Sequence, residues 1–251
     1  MGMVAFPMGD CAVVVAALAQ HGWPVPALLL AGLATGAGLG AVNGTLTAGL
    51  KIPSIVATLA MLGAIRGLLV LSTRGETMPI PASLTGIGGI EPLGIPSLVW
   101  AAALVCLGMS VYLSYTRAGR QHYAVGSNPR SAALSGVAVD WVTFRSFLLL
   151  GTLVGAAGFL YVLRFSTLSH PIGVGYELEV ITAVVVGGTD IFGGRGTVLG
   201  TVLAAVLLKL IGSALTFVAS FTPALRSEIQ PAVQGLLILA AVLYNSLSRK
   251  E

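Results

Sequence analysis

The sequence predicts an all-α, polytopic bundle of transmembrane helices. The 251-residue chain is 56% hydrophobic and only 9% charged, and its mean hydropathy is +0.95. A soluble domain carries about 25% charged residues, so this chain has too little polar surface to cover a globule in water. Apolar runs recur along it at about 20 residues, the length of helix that crosses the hydrocarbon core of a bilayer. The sequence therefore excludes a soluble domain and makes the lipid bilayer its surroundings.

The first two apolar runs differ in length. Residues 13–19 are apolar but too few to span, whereas residues 26–49 form a full span. Glycine recurs at every fourth position of the longer run, at Gly32, Gly36, Gly40 and Gly44. Positions four apart share one face of a helix, so we expect a glycine groove against which another helix packs closely.

Further spans are predicted by the same length criterion at residues 53–71, 97–115, 144–163, 196–217 and 229–247. Arg66 lies near the end of its span, where its side chain can snorkel to the interface. Counting short and broken helices, we expect roughly seven to eight membrane segments.

Loop charges orient these spans. Residues 116–145 carry a single acid, Asp140, against the basic residues Arg117, Arg120, His122, Arg130 and Arg145. Cytoplasmic loops are enriched in Lys and Arg, so this loop is predicted to be cytoplasmic and the loops at 73–96 and 164–179 external. Alternation then places Lys51 inside, and the Arg249-Lys250 tail inside if the glycine-rich stretch described next is a hairpin of one half-span and one full span.

Residues 183–200 read AVVVGGTDIFGGRGTVLG, two apolar arms around glycine clusters with one acid and one base between them. Non-helical backbone at membrane depth is tolerated only where protein or a water-filled cavity satisfies its polar groups. The pattern therefore predicts a broken or re-entrant helix, and such breaks tend to lie where a transporter handles its solute.

Residues that could support catalysis or ion coupling are few. We find no nucleophile, acid–base pair, metal-ligand cluster or ATP-binding P-loop motif, and no basic run long enough for nucleic acid. His21, His122 and His170 are far apart in loops. The sequence thus predicts a protein that is not an enzyme and has no cofactor and no bound metal.

Ionisable residues inside spans are functional candidates by default. Lys209 lies near the middle of its span and Asp190 lies in the broken stretch, while Glu177 and Glu179 are expected at a loop edge. Two interpretations of Lys209 stay open: a functional residue, or one that snorkels or forms a salt bridge between helices. Coupling to protons or sodium would need facing acids, of which Asp190 is the clearest.

Within the basic loop, residues 131–134 can form a short amphipathic helix, with Asn128 as its cap and Pro129 in its first turn. Such a helix on the cytoplasmic side could dock into a groove on a partner. The alternative is an ordinary basic loop that only sets topology.

Four motifs resemble one family. They are TRAGRQHYAVGSNPRSAALSGV at 116–137, VNG at 42–44, KIPSIVATL at 51–59 followed by Arg66-Gly67, and VGGTDIFGGRGTVLG at 186–200. All are similar to permease subunits of bacterial ATP-binding-cassette sugar importers, in the branch that takes ribose, xylose, rhamnose and autoinducer-2. The resemblance covers nearly the whole chain from about residue 12 onward.

The resemblance implies a multi-pass permease of the bacterial inner membrane, forming a single domain over 1–251 that includes a cytoplasmic coupling loop at 116–145. It implies a second permease subunit (identical or related), two cytoplasmic ATPase subunits that grip residues 129–134, and a periplasmic sugar-binding protein. The residues expected to couple to the ATPase are Arg117, Gly119, Arg120, Gly126, Asn128, Arg130, Ala132 and Gly136.

The residues expected in the translocation core are Asn43, Thr58, Gly187, Gly188, Asp190, Gly193 and Gly194, with the glycine stretch near the midplane or its outer half. The solute is expected to be a monosaccharide, and a pentose, a deoxyhexose and an autoinducer-2-like sugar all stay open.

Family members are usually longer at the N-terminus, with further membrane segments before the region matching residue 12. A truncated, non-transporting remnant is therefore one alternative. An ion-coupled secondary carrier is another.

Overall fold

The computed structural model describes residues 8–89, 91–168, 175–190, 193–221 and 235–236. The predicted span at 229–247 lies almost wholly outside the described residues, and His170 and the Arg249-Lys250 tail lie outside them entirely. The regular secondary structure of the described chain is helical apart from one pair of two-residue strands, Met78–Pro79 and Thr167–Leu168. The predicted all-α class is confirmed.

Five helical segments of the described chain are long and apolar enough to cross a membrane: Val25–Gly49, Ser54–Thr73, Ser97–Tyr115, Val139–Arg164 and Val198–Phe217. Each corresponds to a predicted span. A shorter apolar helix, Met8–Gln20, contains the predicted short run. The protein is therefore polytopic.

The elements in chain order, with the labels used below, are α1 (Met8–Gln20), α2 (Val25–Gly44) continuing into a π-helix (Thr45–Gly49), α3 (Ser54–Thr73), β1 (Met78–Pro79), α4 (Ala82–Gly88), α5 (Ser97–Tyr115), α6 (Arg117–Ser127), α7 (Pro129–Leu134), α8 (Val139–Arg164), β2 (Thr167–Leu168), α9 (Tyr176–Val186) and α10 (Val198–Phe221).

Three loop predictions need correction. His122 was expected in a loop, but it lies in α6. The segment predicted as an external loop at 73–96 contains α4 and β1. Glu177 and Glu179 were expected at a loop edge, but both lie in the first turn of α9. Acids in a first turn face the positive end of the helix macrodipole and extend the helix toward its N-terminus, which the apolar count alone could not show.

The chain divides into two compact units, Met1–Val105 with Ala132–Val174, and Cys106–Ser131 with Gly175–Glu251. In the first unit, α2 packs along α8 through glycine. A Cβ placed on Gly32 would lie 2.9 Å from the Gly155 carbonyl oxygen, and one on Gly40 would lie 2.5 Å from that of Phe147. The predicted glycine groove is confirmed, and its partner is the backbone of α8.

Both ends of this first unit are held by contacts between segments that are distant in the sequence. At one end, Lys51 after the π-helix forms an ion pair with Asp140 in the first turn of α8. At the other end β1 pairs with β2, and the Ile80 amide donates to the Ser166 carbonyl at 2.9 Å. The loops predicted to share a side therefore meet, Lys51 with the start of α8 and residues 78–80 with the segment after α8.

In the second unit, α9 and α10 form a hairpin. A Cβ on Gly187, at the end of α9, would lie 2.7 Å from the Cα of Thr201 on α10. Only glycine permits this approach, so the two helices meet backbone to backbone just beside the turn.

Replacing Gly36 with Leu should prevent the close packing of α2 on α8. The side chain would meet backbone atoms of Gly155 at 2.8 and 2.9 Å, which cannot rotate away, so we expect a loss of about 1–3 kcal/mol or more. The measurement is the melting temperature in detergent. Gly38→Leu is the matched control, because nothing lies within 4 Å of its Cβ position; equal melting of the two variants would contradict the packing.

Candidate functional site

Asn43 is a polar side chain buried at the end of α2. Its exposed fraction is 0%, and neither its Nδ2 nor its Oδ1 atom has a hydrogen-bond partner among the described residues. Thr47, one turn further, likewise has a buried hydroxyl without a partner there. Buried polar groups in native proteins are nearly always bonded, and exceptions call for an explanation. These two mark an unusual point in the helix.

The backbone at this point is also irregular, because α2 passes into the π-helix Thr45–Gly49. Short π segments are rare and occur frequently at functional sites. Sequence analysis selected Asn43 from the VNG motif but missed Thr47, since nothing in the sequence distinguishes this threonine from one that bonds to its own helix. The structure thus adds Thr47 to the candidate site.

Thr58 lies on α3 and is buried. Its hydroxyl donates to the Ser54 carbonyl one turn earlier at 2.8 Å. This local bond means that the side chain satisfies its polar hydrogen within its own helix.

The remaining core candidates lie in the turn between α9 and α10. Within it, the Gly193 amide donates to the Asp190 carbonyl at 3.0 Å and the Asp190 amide donates to the Arg195 carbonyl at 2.9 Å. Gly188, Gly193 and Gly194 all have positive φ, at 83°, 94° and 82°. A side chain is disfavoured at such angles, so the clustered glycines are required by the turn itself.

This glycine turn packs on α6, the first helix of the basic loop. A Cβ on Gly126 would lie 2.7 Å from the Gly194 nitrogen, and one on Gly193 would lie 2.8 Å from the Gly126 carbonyl oxygen. The Tyr123 hydroxyl also donates to the Gly196 carbonyl at 2.9 Å. Residues assigned separately to ATPase coupling and to the translocation core are therefore in direct contact.

Local capping builds the basic loop. The Thr116 side chain accepts from the Gly119 amide at 2.9 Å and starts α6, while Asn128 Oδ1 accepts from the Ser131 amide at 3.1 Å and caps α7. The predicted cap and the Pro129 start of the short helix are confirmed.

The eight predicted coupling residues divide by exposure. Gly119 and Ala132 are buried and Gly126 is half-buried against the turn, whereas the exposed members are Arg117, Arg120, Asn128, Arg130 and Gly136. Leu134, which sequence analysis did not single out, ends α7 with 91% of its surface exposed. The loop thus presents cations and one large apolar side chain outward.

The charge of Lys209 within a membrane helix has a partner of opposite sign. Lys209 on α10 forms an ion pair with Glu179 on α9, so the salt bridge between helices that was one interpretation of Lys209 is confirmed.

These features define a class: a multi-pass membrane protein of helices, in which the α9–α10 hairpin rests on a basic loop. Comparison with known proteins names the family. The family described as branched-chain amino acid transport system / permease component matches residues 4–242. The chain belongs to this family and is a permease component of a transport system, located in the inner membrane.

Relatives include the ribose import permease protein RbsC of Escherichia coli (strain K12), 36% identical over 221 residues that cover 86% of this chain and 67% of the relative. Another is the autoinducer 2 import system permease protein LsrC of Salmonella paratyphi B, 34% identical over 242 residues that cover 96% of this chain and 68% of the relative. The chain thus spans about two thirds of the length of either. No solved structure matches it.

Replacing Gly126 with Val should lift α6 off the glycine turn. The turn's two internal amide bonds lose their support, so we expect hydrogen exchange in residues 187–197 to quicken by about tenfold, equivalent to 1.4 kcal/mol of local stability. Exchange mass spectrometry in detergent measures this. Ala124→Val, an exposed position on the same helix, should change nothing; unaltered exchange in Gly126→Val would show that the contact does not hold the turn.

Proposed function

We propose that this permease forms, with a second permease subunit, the translocation pathway for a monosaccharide, powered by separate cytoplasmic ATPase subunits and supplied by a periplasmic sugar-binding protein. The relatives are import permeases for ribose and for autoinducer 2, which supports a small polyhydroxylated solute. The proposed solute is a pentose, a deoxyhexose or an autoinducer-2-like sugar, and the second permease subunit is either identical to this chain or related to it.

The observation that carries the proposal is the contact between α6 and the glycine turn. A partner that binds the basic loop and moves α6 also moves the backbone of the α9–α10 turn, since glycine backbone meets glycine backbone with no flexible side chain between them. A force applied at the cytoplasmic surface therefore reaches a helix hairpin in the membrane. This is what an ATPase-driven permease requires.

The arrangement of α9 and α10 supports a broken-helix hairpin of the predicted kind. The helix α9 has 11 residues, or about 16 Å at 1.5 Å per residue, and α10 has 24 residues, or about 36 Å. With a hydrocarbon core of about 30 Å, α9 is a half-span and α10 a full one. Together with α1 and the stretch at 229–247, this supports our proposal of seven to eight membrane segments.

Because the turn contacts α6 in the basic loop, we propose that it lies at the cytoplasmic end of the hairpin, and not near the midplane or its outer half as the resemblance implies. Within this proposal, the residues of the turn (Gly187, Gly188, Asp190, Gly193 and Gly194) receive the movement of the coupling loop. We propose that Asn43, Thr47 and Thr58 contribute polar groups to the pathway itself. The pairing of Lys51 with Asp140 supports placing both on the cytoplasmic side.

The proposed docking of the ATPase at α7 gives the first test. The exposed Leu134 provides an apolar anchor beside exposed cations, so Leu134→Asp should reduce binding of the cognate ATPase at least about tenfold by replacing buried apolar contact with a charge. Co-purification from detergent, followed by titration of the ATPase, measures it.

Leu93→Asp is the control, because Leu93 is equally exposed at 90% but lies in the loop predicted to be external. Equal ATPase binding by both variants would contradict docking at α7. Uptake by reconstituted vesicles that follows a proton or sodium gradient without ATP would instead support the secondary carrier, and inability of the native chain to bind any ATPase would support the remnant.

Asn43 provides a second test that separates function from stability. Because its amide has no partner among the described residues, Asn43→Leu removes no hydrogen bond and should leave the melting temperature unchanged or higher. Sugar uptake should fall at least about tenfold if the amide bonds to solute or to another state of the cycle. Thr35→Val, whose hydroxyl bonds to its own helix, should leave both quantities unchanged; unimpaired uptake in Asn43→Leu would remove Asn43 from the pathway.

A further inference from the structure

The ion pair between Glu179 and Lys209 fixes the depth at which α9 begins. Lys209 is the twelfth residue of the 24-residue α10, so it lies about 17 Å from either end of that helix. Glu179 is in the first turn of α9. Because the two side chains touch, the start of α9 lies level with the middle of α10. When α10 spans the bilayer, as proposed above, this level is close to the bilayer centre.

Lys209 is nevertheless exposed, with 66% of its side chain accessible, whereas Glu179 is 22% accessible. A lysine side chain can snorkel only if its ammonium reaches the interface, and a reach of about 6 Å does not cover the 17 Å to either helix end. A charge at the bilayer centre facing acyl chains is costly, and such residues almost always face the protein interior or water. The exposed side of this ion pair therefore does not face lipid.

An aromatic ring completes the cluster. Tyr176, which begins α9, is 43% exposed, and the Lys209 ammonium lies 5.4 Å from its ring centroid. Three kinds of group thus meet at mid-depth: a carboxylate that accepts hydrogen bonds, an ammonium that donates them, and a flat apolar ring with a hydroxyl at its edge. Leu208 and Leu210, which flank Lys209 in the sequence, are apolar.

We propose that Tyr176, Glu179 and Lys209 form a hydrated polar site near the middle of the membrane that binds an uncharged, polyhydroxylated solute in passage. The proposal rests on the proposed function and adds to it a place of contact. Solute hydroxyls donate to Glu179 and accept from Lys209, and the ring of Tyr176 covers a C–H face. The two charges cancel, so the site offers strong hydrogen bonds without retaining an ion of either sign.

The first experiment measures access of water. In a background with Cys11→Ala and Cys106→Ala, Tyr176→Cys and Lys209→Cys are each treated in membranes with a charged, membrane-impermeant thiol reagent, applied to right-side-out and to inverted vesicles. Thiols react as thiolates, which form in water and not in lipid, so both should react at least about tenfold faster than Leu210→Cys from one of the two sides.

Leu210→Cys is matched in depth, being one residue away on the same helix and exposed. Tyr176→Cys leaves the ion pair intact, so it remains decisive if Lys209→Cys does not insert. Reaction of Tyr176→Cys no faster than that of Leu210→Cys would overturn the proposal, and would instead indicate that a second subunit covers this face.

The second experiment measures binding. D-ribose, D-xylose and L-rhamnose are tested for uptake by the native chain with its ATPase, and the double variant Glu179→Gln with Lys209→Met is compared on whichever is taken up. We expect the KM for uptake to rise at least about tenfold, because bonds from charged groups are lost, while ATPase binding stays unchanged. An unchanged KM would overturn the binding role.

The two proposals fail separately. If the native chain imports no sugar, the proposed function fails, whereas thiol access at Tyr176 still decides whether the site is hydrated.

Discussion

Close approach of backbone to backbone at glycine is the interaction on which this structure depends. In lipid there is no hydrophobic driving force for helices to associate, so their association depends on packing and hydrogen bonding. Gly32, Gly36 and Gly40 of α2 meet the α8 backbone, and Gly187 meets the α10 backbone in the same way. The contact of Gly126 with Gly193 and Gly194 uses this chemistry outside the regular spans. Helix packing and the contact of α6 with the glycine turn thus share one physical device, and both are rigid because no rotatable side chain lies between the partners.

Against this rigid packing, the π-helix after α2 is an irregular point. Regular transmembrane helices satisfy all their backbone groups internally, and most described threonines also bond to their own helix. Asn43 and Thr47 do not, and they lie where α2 changes its winding. An unsatisfied amide and hydroxyl are destabilising unless another state or a ligand satisfies them. A permease alternates between states, so we expect the hydrogen bonding of this unsatisfied pair beside the irregular helix to differ from one state to another.

The features that the sequence predicted correctly depend on the length of apolar runs and on the spacing of residues along a helix. Apolar runs of membrane length located the five spans, the four-residue spacing of Gly32 to Gly44 identified a packing face, and Asn128 before Pro129 predicted a cap that the structure confirms. The sequence could not predict what depends on pairing between distant residues. Nothing local tells that Gly126 meets Gly194, or that Glu179 belongs to a helix paired with Lys209 and not to a loop. These pairings join residues that are distant in the sequence, so only the folded structure shows them.

The same hairpin explains why its two ends differ in chemistry. At the turn, glycines with positive φ exclude side chains, so the only groups available are backbone amides and carbonyls, and these are used to fix the turn and to meet α6. At the other end of α9, about 16 Å away, side chains dominate: Tyr176, Glu179 and Lys209. A helix of 11 residues joins them. Under the proposed function, a displacement of α6 would therefore reach the charged cluster through α9, without any change inside the helix.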